Sequence, residues 1–214
     1  MIRRLLIAAA AAAAGLAAPV ARAHPHVFVE VGLRLEADER GHLTGVEVTW
    51  TYDALYTLLI LSDRWLDPDG DMVLTAAERA ELLGFDLVDW PEGFEGALFI
   101  DTPVGSISPS PPEALSVRLE EGRLVTRHRR PLGPVAAPRL EVRPYDPSYY
   151  AALELSGAVR LPEGCTGDVV APDRAAADAR VAALGDPGRE DFFEEVAVGV
   201  HYADTLVVTC APSS

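Results

Sequence analysis

The chain has 214 residues, 49% hydrophobic and 24% charged, with a formal net charge of −15 and arginine supplying every Lys/Arg-type charge. That length builds one domain of ordinary size with a full core. A surface this acidic repels nucleic acid and anionic lipid headgroups and favours cations, which excludes nucleic acid as a partner.

Arg3 and Arg4 precede an apolar run from Leu5 to Ala18, and Ala21-Arg22-Ala23 follows. This is a positively charged start, a short apolar stretch and an Ala-x-Ala cleavage signal, so residues 1–23 read as a signal peptide cleaved after Ala23. The twin arginines stand beside only Ile2 and Leu5, which favours general secretion over the twin-arginine route. The expectation is a periplasmic protein with residues 24–214 as a single domain. No later stretch reaches about 18 uninterrupted apolar residues, so no direct membrane insertion is expected once the leader is gone.

Cleavage there makes His24-Pro25-His26 the new N-terminus and takes the net charge to −18, since the leader carries three Arg and no acid. A terminal histidine offers an amine and an imidazole on one residue, a chelate for Ni²⁺, Co²⁺, Cu²⁺ or Zn²⁺. In an extended segment alternate residues share a face, so His24, His26, Phe28 and Glu30 point one way. His24, His26 and Glu30 are the candidate transition-metal ligands. Pro25 has no N–H, so a square-planar site built on deprotonated backbone amides is excluded. The alternative is a frayed His24 and a His26 that merely ends a strand.

Val27, Val29, Val31, Leu33 and Leu35 alternate, and after the turn at Glu39–His42 so do Val46, Val48, Trp50 and Tyr52. This predicts an antiparallel hairpin. Asp53 caps a helix running to about Trp65, so uniformly apolar (Leu55, Leu58, Leu59, Ile60, Leu61) that burial is expected. Thr75-Ala-Ala-Glu78 is a capping box that opens a second helix through Leu83 or a little beyond.

Between these helices lies Asp67-Pro-Asp-Gly-Asp-Met-Val-Leu-Thr-Ala-Ala-Glu78. Carboxylates at its positions 1, 3, 5 and 12 (Asp67, Asp69, Asp71, Glu78) match the calcium loop of an EF-hand, with the Val73 carbonyl and Thr75 as further ligands. Met72 occupies the position where glycine normally supplies a positive φ, at a cost on the order of 1 kcal/mol. The reading is a structural Ca²⁺ site with a dissociation constant of roughly 10⁻⁴–10⁻³ M. Its alternative is an acidic connection without an ion.

Further on, 97–101, 115–119, 124–128, 139–142, 152–161 and 205–210 read as strands, separated by Pro- and Gly-rich loops at 103–112 and 131–138. Asp173 to Leu184 reads as an Ala-rich helix. The fold class expected is α+β, one mostly antiparallel sandwich-like domain, with an EF-hand-like helix–loop–helix inserted over about 53–89 and a C-terminal helix. The run Arg127-His128-Arg129-Arg130 either binds an anion or pairs with surplus carboxylates. The tyrosines of Tyr145–Tyr150 either line a groove or pack. Cys165 and Cys210, the two cysteines of the chain, are expected to form a disulfide in an oxidising compartment, the alternative being thiolate metal ligands. No nucleophile elbow, phosphate loop, His-Glu-x-x-His helix or dinucleotide fingerprint occurs.

The His24-Pro25-His26-Val27-Phe28-Val29 opening, the Val46–Trp50 strand, the Asp69-Gly70-Asp71 loop, the Tyr145–Tyr150 segment and the closing Ala203–Cys210 run together resemble a bacterial periplasmic family, domain of unknown function 1007. The likeness extends over nearly all of the chain after the leader. Such proteins are described as periplasmic components of an uncharacterised ABC-type transport system and are associated with nickel/cobalt-type permeases. The resemblance therefore implies a non-enzymatic divalent-metal-binding accessory whose partner is a membrane metal permease or transporter component. The rival readings are a copper enzyme, in which His24 forms half of a histidine brace completed by His42, His128 or His201, and a purely structural interaction module.

Overall fold

The computed structural model describes residues 24–88, 90, 95–136, 138–189 and 192–211, so the leader lies outside the described residues. In chain order, β1 (Val27–Ala37) and β2 (Leu43–Tyr52) make the expected hairpin, and α1 (Ala54–Asp63) and α2 (Ala76–Leu82) follow. Then come β3 (Leu98–Thr102), β4 (Gly105–Ile107), β5 (Glu113–Glu120), β6 (Arg123–Val135), β7 (Arg139–Pro144), β8 (Ala151–Glu154), β9 (Val159–Arg160) and β10 (Cys165–Val170). The chain closes with α3 (Arg174–Leu184), α4 (Phe192–Glu195) and β11 (Thr205–Cys210).

The strands form two sheets, ordered β5-β6-β2-β1-β8, with β9 also on β1, and β10-β11-β7-β3-β4. All pairings are antiparallel except those of β1 with β8 and β9. The alternating residues of β1 and β2 meet Leu98, Ile100, Leu140, Val142, Leu206 and Val208 of the second sheet in one core. Two sheets each buried on one face and stacked on a shared core are what the period-2 apolar pattern requires.

Three expectations need correction, and one strand, β10, has no counterpart in the sequence reading. The 152–161 segment is not one strand: it turns between β8 and β9, where Gly157 N donates to Val31 O at 3.1 Å. The loop at 103–112 contains β4, and β6 continues through Pro131, Gly133 and Pro134. β10 gives little apolar signal and draws its order from pairing with β11, Cys165 opposite Cys210. Helix α1 is not buried: Leu55, Leu58 and Leu59 are 78%, 54% and 51% exposed, while Thr57 and Leu61 are buried. It docks by a polar hook in which Leu124 N donates to Thr57 Oγ1 at 2.9 Å.

The basic run of β6 divides by strand alternation. Arg127 pairs outward with Glu47, and Arg129 with Glu36 at 2.7 Å and Glu113 at 3.6 Å. His128 and Arg130 point inward and are buried. The carboxylate-pairing reading of that run holds for Arg127 and Arg129.

Candidate metal-binding sites

His24 and His26 lie just before β1, with ring centroids 4.7 Å apart and edge to face. Neither stands alone: His24 packs on Phe193 at 4.2 Å and His26 on Tyr150 at 4.9 Å. His26 N donates to Tyr150 O at 2.8 Å, so the start of the chain is tied to the Tyr145–Tyr150 segment. That segment is itself a built turn, in which Asp146 accepts from Ser148 N, Ser148 Oγ and Ala151 N. Its tyrosines pack, Tyr145 on Phe99 at 4.0 Å and Tyr149 on Tyr202 at 4.2 Å.

Glu30 shares the outward face with His26 and Phe28, but its carboxylate is engaged by Arg123 at 2.7 Å. The structure thus joins the two imidazoles and gives Glu30 another partner. Of the further histidines, His42 pairs with Asp38 at 3.4 Å in the β1–β2 turn, and His128 is fully buried against Trp50, with ring centroids 4.6 Å apart. His201 sits in the short turn Gly199–Tyr202. Among the described residues, no set of three His, Cys, Asp or Glu ligand atoms within 4.8 Å of one another includes a histidine.

The one such set is Asp67, Asp69 and Asp71. The loop folds around its first carboxylate: Met72 N donates to both oxygens of Asp67, at 3.3 and 3.2 Å. Met72 adopts φ 57°, the left-handed conformation expected at this position. Val73 N donates to Asp71 Oδ1 at 2.8 Å. Glu78 closes the loop by accepting from Asp67 N at 2.9 Å and Thr75 N at 2.7 Å, while the Thr75 hydroxyl accepts from Glu78 N at 3.3 Å. The backbone N–H and hydroxyl of Thr75, then the N–H of Asp67, hold Glu78 below its ordinary pKa. Partial desolvation, with Asp69 and Asp71 alongside, holds Asp67 above its own. Three convergent carboxylates suit a hard cation with oxygen preference, whereas two imidazoles suit a borderline metal. The Val73 side chain is exposed, and only its carbonyl is a candidate ligand.

Cys165 and Cys210 are joined by a disulfide across β10 and β11, with an S–S distance of 2.04 Å, so sulfur is not a metal ligand here.

The sequence reading overlooked Asp86, in the stretch after α2. It reaches into the sandwich and accepts from Tyr52 OH at 2.9 Å and Thr126 Oγ1 at 2.6 Å. Burial raises the Asp86 pKa, and burial followed by the nearby Asp86 charge raises that of Tyr52. The available signal was one acid inside the apolar run Phe85–Val88.

Among the described residues, no helix is long and apolar enough to cross a membrane. No curated protein matches this chain. A family profile described as protein of unknown function (DUF1007) matches residues 9–210, nearly the whole chain, and the chain belongs to that family.

Proposed function

We propose that this protein is a periplasmic divalent-metal-binding accessory that serves a membrane metal permease, with a structural Ca²⁺ in the Asp67 loop. The observation that carries the reading is the pairing of His24 and His26, rings 4.7 Å apart, directly after an Ala-x-Ala signal. Cleavage after Ala23 would add the His24 amine to two imidazoles, a donor set that fits Ni²⁺, Co²⁺, Cu²⁺ or Zn²⁺. Glu30 joins only by leaving Arg123. The disulfide is consistent with an oxidising compartment. A site with so few protein ligands releases its ion readily, which suits transfer to a partner better than storage. The transporter itself is inferred from the resemblance.

The test is calorimetry of the protein beginning at His24 against Ni²⁺ and Zn²⁺, beside a form with one Ala added before His24 and a His26→Ala variant. The reading expects one site that weakens at least tenfold in both. Equal affinity in all three forms refutes it.

A further inference from the structure

Where α1, the Phe85–Val88 stretch and the Tyr145–Tyr150 segment meet the inner face of the first sheet, the sandwich opens into a cleft of about 910 Å³. Among the described residues its walls carry seven aromatic side chains, those of Trp50, Tyr52, Tyr56, Phe85, Trp90, Tyr150 and Phe193. Clefts of this size, mostly apolar with a few convergent polar groups, are what organic ligands of moderate size occupy.

The polar groups have an unusual distribution. Asp86 lines the cleft, and both hydroxyls that bond it use Oδ2, so Oδ1 takes no side-chain donor among the described residues. A carboxylate partly buried in an apolar wall is stabilised when a cation meets it. Trp50, 5% exposed, also lines the cleft, and its Nε1 has no hydrogen-bond partner among the described residues. That nitrogen is covered by protein atoms, so Trp50 offers the cleft its ring and not its N–H.

Among the described residues, the charges lining the cleft are three carboxylates, Asp86, Asp146 and Glu195, and one guanidinium, Arg64. Asp146 is consumed by its own turn and Glu195 by Arg189 at 2.7 Å, which leaves Asp86 as the carboxylate on offer. The ring faces already attract cations from the protein itself, since Arg64 lies over Phe85 at 5.2 Å. Aromatic faces around a carboxylate recognise ammonium groups, because the ring quadrupole attracts a cation more strongly as it is desolvated.

We infer that this cleft binds an amphipathic organic ammonium ion, its apolar body against the rings and its charged nitrogen at Asp86 Oδ1. The site is distinct from the proposed metal sites, although His24 and His26 rest on Phe193 and Tyr150 at its border.

The test is calorimetry on the chelator-treated full protein with four probes: 2-phenylethylamine, benzyltrimethylammonium, the neutral 2-phenylethanol and the anionic phenylacetate. The expected result is that at least one ammonium binds at a single site at least tenfold tighter than 2-phenylethanol, with phenylacetate weakest. Preference for the primary amine marks a hydrogen bond to Asp86, and preference for the quaternary ion marks recognition by the rings. Asp86→Asn, which keeps an acceptor for Tyr52 and Thr126, should bring the ammonium-to-alcohol ratio to near one. If Asp86→Asn does not fold, Tyr56→Leu should lower that ratio at least threefold, since it keeps apolar bulk and removes a π face. Equal binding of amine and alcohol by the wild type, stronger binding of phenylacetate, or no binding of any probe at millimolar concentration overturns the inference.

Discussion

His128 is a fully buried histidine with neither ring nitrogen hydrogen-bonded among the described residues. Burial first, and the Arg130 charge second, depress its pKa from 6.5 to about 3. The folded state therefore holds the ring neutral where the unfolded chain would protonate it. The resulting stability is complete above the unfolded value near 6.5 and is lost as pH falls toward 3. Each pKa unit is worth about 1.4 kcal/mol, so between pH 7 and pH 4 this group alone removes about 3 kcal/mol. Against a typical total of about 5–15 kcal/mol, that is a large share. His128→Leu removes the titration together with two unsatisfied polar atoms, while retaining most of the bulk that packs on Trp50. At pH 7 the variant should lie within about 1–2 kcal/mol of wild type, lost packing offset by relief of the unbonded nitrogens. At pH 4 it should be ahead by about 3 kcal/mol more than at pH 7. Urea denaturation of both proteins at pH 7, 6, 5 and 4 measures this, because every other acid-sensitive group is common to the pair and cancels in the difference. A difference that does not change with pH refutes the assignment.

Replacing Cys210 by Ser opens a loop spanning 45 positions, which in the entropic limit costs about 4 kcal/mol; denaturant midpoints with and without reductant should show a wild-type shift of that order and none in the variant. Thr57→Val keeps shape but leaves Leu124 N without its acceptor, so it should destabilise by about 1–3 kcal/mol, with Thr57→Ser restoring most of the loss in the same assay. Millimolar Ca²⁺ should raise the melting temperature of the wild type and not that of Asp67→Ala or Glu78→Ala. Met72→Gly, which relieves the φ of 57°, should tighten Ca²⁺ by up to about tenfold. If neither wild type nor Met72→Gly responds to Ca²⁺, the loop is an acidic connection only.

The parts of the fold that were legible in the sequence carry local signals. The β1–β2 hairpin announced itself by strict alternation, α2 by the Thr75–Glu78 capping box, and α3 by Asp173, whose side chain accepts from Ala176 N. The parts that were not legible depend on distant partners. β10 is a strand because Cys210 and its neighbours lie alongside, and β8 and β9 are separate because Gly157 must turn against Val31. The exposure of α1 was hidden for a related reason: an apolar sequence says how much surface a helix would bury, not how much the rest of the chain can cover. For the site, the order of histidines and carboxylates was readable from spacing, and the convergence of Asp67, Asp69 and Asp71 follows from it. The Arg123 partner of Glu30 was not, being 93 positions away. Asp86 escaped notice because its meaning lies in Tyr52 and Thr126, which no local pattern connects to it.

The place of β1 in its sheet bears on how the chain acquires its structure. It is the earliest strand of the described chain, yet it lies inside the sheet, between β2 and the parallel strands β8 and β9. Its hairpin partner follows at once, but Val27–Glu30 pair with Ala151–Glu154, which arrive more than a hundred residues later. A chain delivered from its N-terminus, by a ribosome or through a membrane pore, therefore holds one edge of β1 open until most of its length has emerged. Domains dominated by such distant pairings fold in milliseconds to seconds rather than microseconds. This topology keeps the early segment threadable for most of its passage and delays the rigid sandwich until the delivery is almost over.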